Sequence, residues 1–239
     1  MILAAGRGER MRPLTDRLPK PLLKIAGKSL IEYHIEALVC AGVTDIIINH
    51  AWLGAKIEAQ LGDGSRYGAN IRYSCESQAL ETAGGIKQAL TFFSAEPFIV
   101  VNGDVFSDYP FSQLIDKSEY LLSLRNSCQA YLVLVNNPEH HPEGDFYCLE
   151  SCVFDRYSNT VLEKKGMAKR YTYSGIACYH PDFFTSMEAG KHALAPMLRE
   201  AMSQGQVMGE VYQGQWWDIG TPQRLKELNL KINPTVNDG

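Results

Sequence analysis

The sequence has no CxxC pair among its six cysteines, no N-terminal stretch that reads as a signal peptide, and no apolar run near the ~18 residues a spanning helix needs. These absences lead us to expect reduced thiols without disulfides, a soluble cytoplasmic protein and no membrane partner. It also lacks internal repeats, low-complexity segments and linkers, so one domain over residues 1–239 is the expected partition. An excess of positive charge is missing too: 23 Lys plus Arg against 27 Asp plus Glu give −4, which argues against a nucleic-acid partner. The charge is nevertheless uneven. Within residues 1–28, seven basic side chains (Arg7, Arg10, Arg12, Arg17, Lys20, Lys24 and Lys28) face only Glu9 and Asp16, which predicts an anion there.

The segment LAAGRGERMRPLT, residues 3–15, runs from an apolar strand into a loop with Gly6 and Gly8. Glycines let backbone N–H groups approach oxyanions without a Cβ in the way. The two best-defined phosphate loops do not fit: the third glycine of GxGxxG is absent, and no Gly-Lys-Ser/Thr follows. By itself the GxG is equally an ordinary turn. Arg10 and Lys20 flank Pro13 and Pro19, which reduce the entropy lost on ordering the loop, and are candidates to converge on the anion. Arg7, Arg12 and Arg17 read as solvated surface charge.

Patterning predicts a strand over residues 1–5, a helix over 30–40 opened by Ser29 and closed by Gly42, a strand at 45–49, a helix at 55–61 and a strand at 71–74. A helix at 85–93 and the apolar run 98–104 follow. The βαβα order implies α/β class with a mostly parallel sheet covered on both faces. Further strands are expected at 131–135, 146–150, 160–163, 172–179 and 207–212, with helices at 181–187, 194–203 and 222–231, the last with Pro222 in its first turn. The adjacent His140 and His141 read as a turn rather than a zinc site. Tyr171, Tyr173 and Tyr179 mark one face of a strand, and at least one of Trp216 and Trp217 is expected in the core. Read alone, Asp104 is equally a turn former after Gly103, Asp218 a cap for the following helix, Glu76 an exposed strand-end acid, and Glu163 with Lys164 an exposed charged strand end.

LAAGRGERMRPLT followed by PKPLLKIAGKSLIEY, with NGDV at 102–105, LEKK at 162–165, TYSGI at 172–176 and WWDIGTP at 216–222, resembles the sugar-1-phosphate nucleotidyltransferases over nearly the whole chain. The resemblance implies a Rossmann-like three-layer α/β/α nucleotidyltransferase fold with a mostly parallel central sheet. It further implies one catalytic domain with a nucleotide-binding half at about 1–110 and a sugar-binding half at about 111–239. Together with GDGSRYG, LETAGGI and NPEHHPEGDF it points to the branch that uses UTP and N-acetylmuramate α-1-phosphate in cell-wall recycling. Enzymes that use GTP and mannose 1-phosphate are the alternative, and inert nucleotide-sugar-binding subunits a third reading.

By the same resemblance, Arg10, Lys20, Asp104 and Asp218 are catalytic, with Asp104 and Asp218 holding Mg²⁺. Leu3, Ala4, Ala5, Gly6, Gly8, Glu76, Thr82, Ala83, Gly84 and Asn102 are implied to bind the nucleotide. Gly144, Glu163, Lys164 and Gly175 are implied to bind the sugar phosphate. The chain departs from many relatives in carrying Glu76 and Glu81 where they have Gln and Gly. For the lactyl carboxylate, Arg66 and Arg170 both stand open. Because the chain stops soon after WWDIGTP, a minimal catalytic unit without a C-terminal β-helix is expected; oligomeric state is left open.

Overall fold

The structure, a computed structural model, describes residues 1–124, 127–155 and 169–233. In chain order its elements begin with β1 (Ile2–Leu3), β2 (Lys24–Ile25), β3 (Lys28–Ser29), α1 (Leu30–Cys40), β4 (Asp45–His50), α2 (Gly54–Leu61) and β5 (Asn70–Cys75). They continue with α3 (Glu81–Ala89), β6 (Phe98–Asn102), β7 (Val105–Ser107), α4 (Phe111–Ser123), β8 (Ala130–Val135), β9 (Phe146–Leu149) and β10 (Cys152–Phe154). The last are β11 (Lys169–Tyr179), α5 (Leu194–Ser203), β12 (Val207–Tyr212), β13 (Trp216–Asp218) and α6 (Pro222–Ile232).

The chain divides into two compact units. The first comprises Met1–Glu81, Val101–Phe111 and Gln215–Gly239; the second comprises Thr82–Val100 and Ser112–Gly214. In the first, β5, β4, β1 and the end of β6 lie side by side, all parallel, with Ile2 opposite both Ile48 and Val101. Ile2, Ile46, Ile47 and Ile48 are buried, as the unbroken apolar runs require of strands covered on both faces. The second unit is mixed: β11 runs antiparallel to β8, β12 parallel to β8, and β10 and β9 complete the order.

Most expected elements are present, and the differences have local causes. β1 stops at Leu3 because the Ala4 N–H donates to the Asn49 side chain (3.0 Å) instead of to a neighbouring strand. The helix expected from residue 85 begins at Glu81, its first turn obscured in sequence by Gly84 and Gly85, and passes into a 3-10 turn at Leu90–Phe92. The helix expected over 181–187 is only a 3-10 turn, Pro181–Phe184. α4 is missing from the patterning because its buried Phe111, Leu114 and Leu121 form a sparse stripe among polar residues. The strand expected at 160–163 lies outside the described residues.

Two elements carry the site by their caps and their apolar neighbours. Ser29 precedes α1, and the Glu32 carboxylate reaches back to its N–H at 3.0 Å. Thr221 accepts from the Arg224 N–H at the start of α6 (3.3 Å), and Pro222 fills the first helical position. Met11, Leu23, Ile25, Leu30, Ile219 and Leu228 form one buried cluster, with Trp217 packed against it. Each such side chain contributes roughly 1.5–3 kcal/mol on burial, so the neighbours of Arg10 and Asp218 are firmly seated.

Candidate active site

The first loop is held by its own side chains. Gly8 is left-handed (φ 67), and a Cβ there would lie 3.0 Å from the Thr15 methyl and 3.3 Å from Lys20 Cβ, so only glycine lets the loop close on Lys20. Thr15 donates to the Gly8 carbonyl (2.8 Å), and the Met11 N–H donates to the same carbonyl (2.9 Å). Arg7 is not the solvated charge expected from sequence. Its guanidinium lies 3.9 Å over Trp52, donates to the Thr15 carbonyl (2.9 Å) and pairs with Asp16 (3.1 Å), so it clamps the loop. Arg12 pairs with Asp16 at 2.8 Å. Arg10 is exposed, and among the described residues no hydrogen bond or ion pair holds it, so its charge is available to a ligand.

Lys20 is buried, and its Nζ lies 2.6 Å from Asp104 Oδ2. Asp104 follows Gly103 at the end of β6. The Gly103 N–H donates to the Leu3 carbonyl at 2.8 Å, and a Cβ on Gly103 would sit 2.8 Å from that oxygen, so the turn bearing Asp104 is pressed against the start of the first loop. β7 then pairs antiparallel with β13, setting Asp218 opposite Val105, and the Ile219 N–H donates to the Asp104 carbonyl (3.3 Å). Asp104 and Asp218, remote in sequence, thus stand on adjoining backbone. The Asp218 Oδ2 accepts from Arg224 Nη1 at 2.5 Å.

Glu76 is buried rather than exposed, which corrects the strand-end alternative. Its Oε1 accepts from Asn49 Nδ2 (2.6 Å) and its Oε2 from the Leu80 N–H (2.9 Å), while Asn49 Oδ1 accepts from Ala4. One relay therefore fixes the first loop and the turn before α3. Asn102 ends β6, opposite Leu3. Ala5 and Gly6 continue the loop, and a Cβ on Gly6 would meet open space.

Thr82, Ala83 and Gly84 belong to the second unit, in the first turn of α3, where the Ala83 and Gly84 N–H groups both donate to the His192 carbonyl (3.0 and 3.2 Å). Gly144 is left-handed and packs against the Asn137 amide; Gly175 sits at the bulge in β11 between Tyr173 and Ile176. The neighbouring Asp145 accepts from the Tyr173 N–H (2.8 Å) and lies 3.1 Å from His141. Glu163 and Lys164 lie outside the described residues. Arg66 is occupied by Glu32 and by the ring of Tyr67; Arg170 donates to the Asp145 carbonyl (2.7 Å) and lies over Tyr147.

Among the described residues no three or more His, Cys, Asp or Glu gather as a metal cage. The donor set at β7 and β13 is two hard carboxylates beside cationic and backbone donors, which fits Mg²⁺, an ion commonly held by one or two carboxylates plus phosphates and water.

His34 of α1 is tied to the start of β7. It is 2% exposed, and its Nε2–H donates to the Val105 carbonyl at 2.9 Å. Burial pushes its pKa down to about 4, against a smaller upward pull from that carbonyl and from Asp104. The folded pKa lies below the unfolded value, so the stabilisation is complete above about pH 6.5 and is lost as pH falls toward 4, an effect of ~3 kcal/mol. Denaturant midpoints at pH 7 and pH 4.5 should show a smaller difference in His34→Gln than in wild type; equal differences would refute this account.

A parallel α/β unit with a glycine-bearing loop after its first strand, a buried lysine and two carboxylates on adjoining backbone has the make-up of a nucleotide-handling enzyme. The sequence profile of the nucleotidyl transferase family matches residues 1–234, and the chain belongs to that family. It is 51% identical over 229 residues to the N-acetylmuramate alpha-1-phosphate uridylyltransferase of Neisseria meningitidis serogroup B, covering 95% of each chain. A mannose-1-phosphate guanyltransferase of Hypocrea jecorina is 31% identical over an alignment of 234 positions that covers 93% of this chain and 61% of that one. Among solved structures, a Bacillus anthracis protein described as a glucose-1-phosphate thymidylyltransferase matches with TM-score 0.78 and 20% identity, covering 100% of this chain and 96% of that chain; it shares the fold.

Proposed function

We propose that the protein transfers a uridylyl group from UTP to N-acetylmuramate α-1-phosphate, giving UDP-N-acetylmuramate and pyrophosphate in cell-wall recycling. A sugar-phosphate oxygen attacks the α-phosphorus in line, and the bond from that phosphorus to the bridging oxygen breaks, its electron pair leaving with pyrophosphate. The barrier is the meeting of two anions and the charge on the leaving group, which fixed cations relieve. The observation that carries the choice of substrates is the 51% identity over 95% of each chain to an N-acetylmuramate alpha-1-phosphate uridylyltransferase; the 2.6 Å pair of buried Lys20 with Asp104, on backbone that adjoins Asp218, supports the chemistry.

Lys20 supplies a point charge to the α-phosphate and the incoming phosphate. Arg10, free of internal partners among the described residues, neutralises the departing pyrophosphate. Asp104 and Asp218 would hold Mg²⁺, which would neutralise phosphate oxygens as a Lewis acid. The loop from Leu3 to Gly8 cradles the nucleotide with Asn102. Glu76 acts through Asn49 and Leu80 as a positioning residue for that loop, because both its oxygens already carry internal hydrogen bonds. The Ala83 and Gly84 N–H groups are spent on His192, so recognition by these residues and Thr82 would use other groups. To Gly144, Gly175, Glu163 and Lys164 we assign the sugar 1-phosphate. We assign the reaction to the cytoplasm, where six free cysteines persist reduced. Among the described residues no helix is long and apolar enough to cross a membrane.

Pyrophosphate release with Mg²⁺, measured for UTP and GTP against the α-1-phosphates of N-acetylmuramate, N-acetylglucosamine, glucose and mannose, tests the assignment. UTP with N-acetylmuramate 1-phosphate should exceed every other pair by about 100-fold in kcat/KM. Preference for GTP with mannose 1-phosphate would replace the substrates, and silence throughout would refute the enzyme reading.

A further inference from the structure

Arg224 stands in the first turn of α6, beside the positive end of the helix dipole, where a cation is disfavoured. It is nevertheless largely buried: its side chain is 18% exposed, with Nη1 2.5 Å from Asp218 Oδ2. Three successive residues of the connection permit this. At Gly220 a Cβ would sit 2.8 Å from Nη1 and 3.0 Å from Asp218 Oδ2, so a side chain there would displace the guanidinium. Thr221 accepts from the Arg224 backbone N–H and Pro222 starts the helix, together fixing the turn from which the side chain folds back. Lys20 makes the corresponding pair with Asp104, but Lys20 has work on phosphate and Arg224 has none in the reaction described above.

We propose that Arg224 is a positioning residue that holds the Asp218 carboxylate in place and, as a built-in counter-cation, weakens binding of free Mg²⁺ to the Asp104–Asp218 pair. Loading then depends on a nucleotide, whose phosphates return the negative charge that Lys20 and Arg224 have cancelled. The inference rests on the reading of the two aspartates as the metal pair. A unit charge ~5 Å from a divalent ion in a well-solvated site opposes its binding by an amount that corresponds to about tenfold in affinity.

The test is titration of the full-length protein with Mn²⁺ alone, free Mn²⁺ being followed by electron paramagnetic resonance without nucleotide. Arg224→Gln should bind Mn²⁺ five- to tenfold more tightly than wild type, and Arg224→Lys, which keeps the charge, should stay within twofold of it. Gly220→Ala, which displaces the guanidinium without removing it, should tighten binding by a smaller factor and gives a second measurement should Arg224→Gln melt abnormally. Wild-type affinity or weaker in natively melting Arg224→Gln or Gly220→Ala overturns the inference. In the same titration Asp218→Asn should lose the Mn²⁺ site; if wild type has no site that this change removes, the metal reading fails and the inference with it.

Discussion

Asp104→Asn is expected to slow Mg²⁺-dependent pyrophosphate release by about a thousandfold while leaving the melting temperature within a few degrees of wild type. The substitution keeps the shape of the side chain and one oxygen but removes the charge that faces Lys20 and that the proposed metal would need. Asp104 is 41% exposed at its side chain but the Lys20 ammonium it faces is buried, so the amide oxygen left by the substitution keeps a hydrogen bond to Lys20 while loss of the charge costs about 1–2 kcal/mol, a few degrees in melting temperature. The backbone that carries it is fixed independently by the Gly103–Leu3 and Ile219–Asp104 hydrogen bonds. A rate titration with Mg²⁺ separates the causes: raised Mg²⁺ should recover part of the loss if the carboxylate holds the ion. Activity within tenfold of wild type would remove Asp104 from the metal pair.

Lys20→Met should lower kcat by about 10²–10³-fold. Methionine matches the length and apolar stem of lysine, so the buried site stays filled and the change isolates the ammonium charge. Lys20→Arg should not restore activity, because a planar guanidinium on a longer side chain cannot put a compact point charge where Nζ lies, 2.6 Å from Asp104 Oδ2. The measurement is kcat at saturating substrates alongside the melting curve. A Lys20→Met enzyme as fast as wild type would leave the phosphate charge to Arg10 and the metal alone.

The cationic loop was legible because glycine, proline and clustered arginine are local signals, and the buried parallel strands because three isoleucines in succession have few other uses. The structural task of Arg7 was not legible. Arg7 and Arg10 stand three apart in one loop, yet Trp52, Thr15 and Asp16 take the first and leave the second free, a division made by residues as far as 45 positions away in number from Arg7. Asp104 and Asp218 carry no spacing signal, since only the pairing of β7 with β13 joins them. Glu76 stood open as an exposed acid because Asn49, 27 positions earlier, gives no local signal of the contact that buries it. Arg224 carries no signal of its own in the sequence; its direction depends on Gly220, whose role appears only when the space around it is known.

The first unit is built from three separated stretches, and the last of them, Gln215–Gly239, supplies β13 and α6. A chain growing on the ribosome therefore has its cationic loop, Lys20 and Asp104 long before it has the strand that β7 must pair with. The second unit, lying wholly between these stretches, can fold while the first still waits. Synthesis thus brings Asp104 and Asp218 onto adjoining backbone only after Trp216–Asp218 has emerged, so products truncated before it carry the cationic loop without its partner strand.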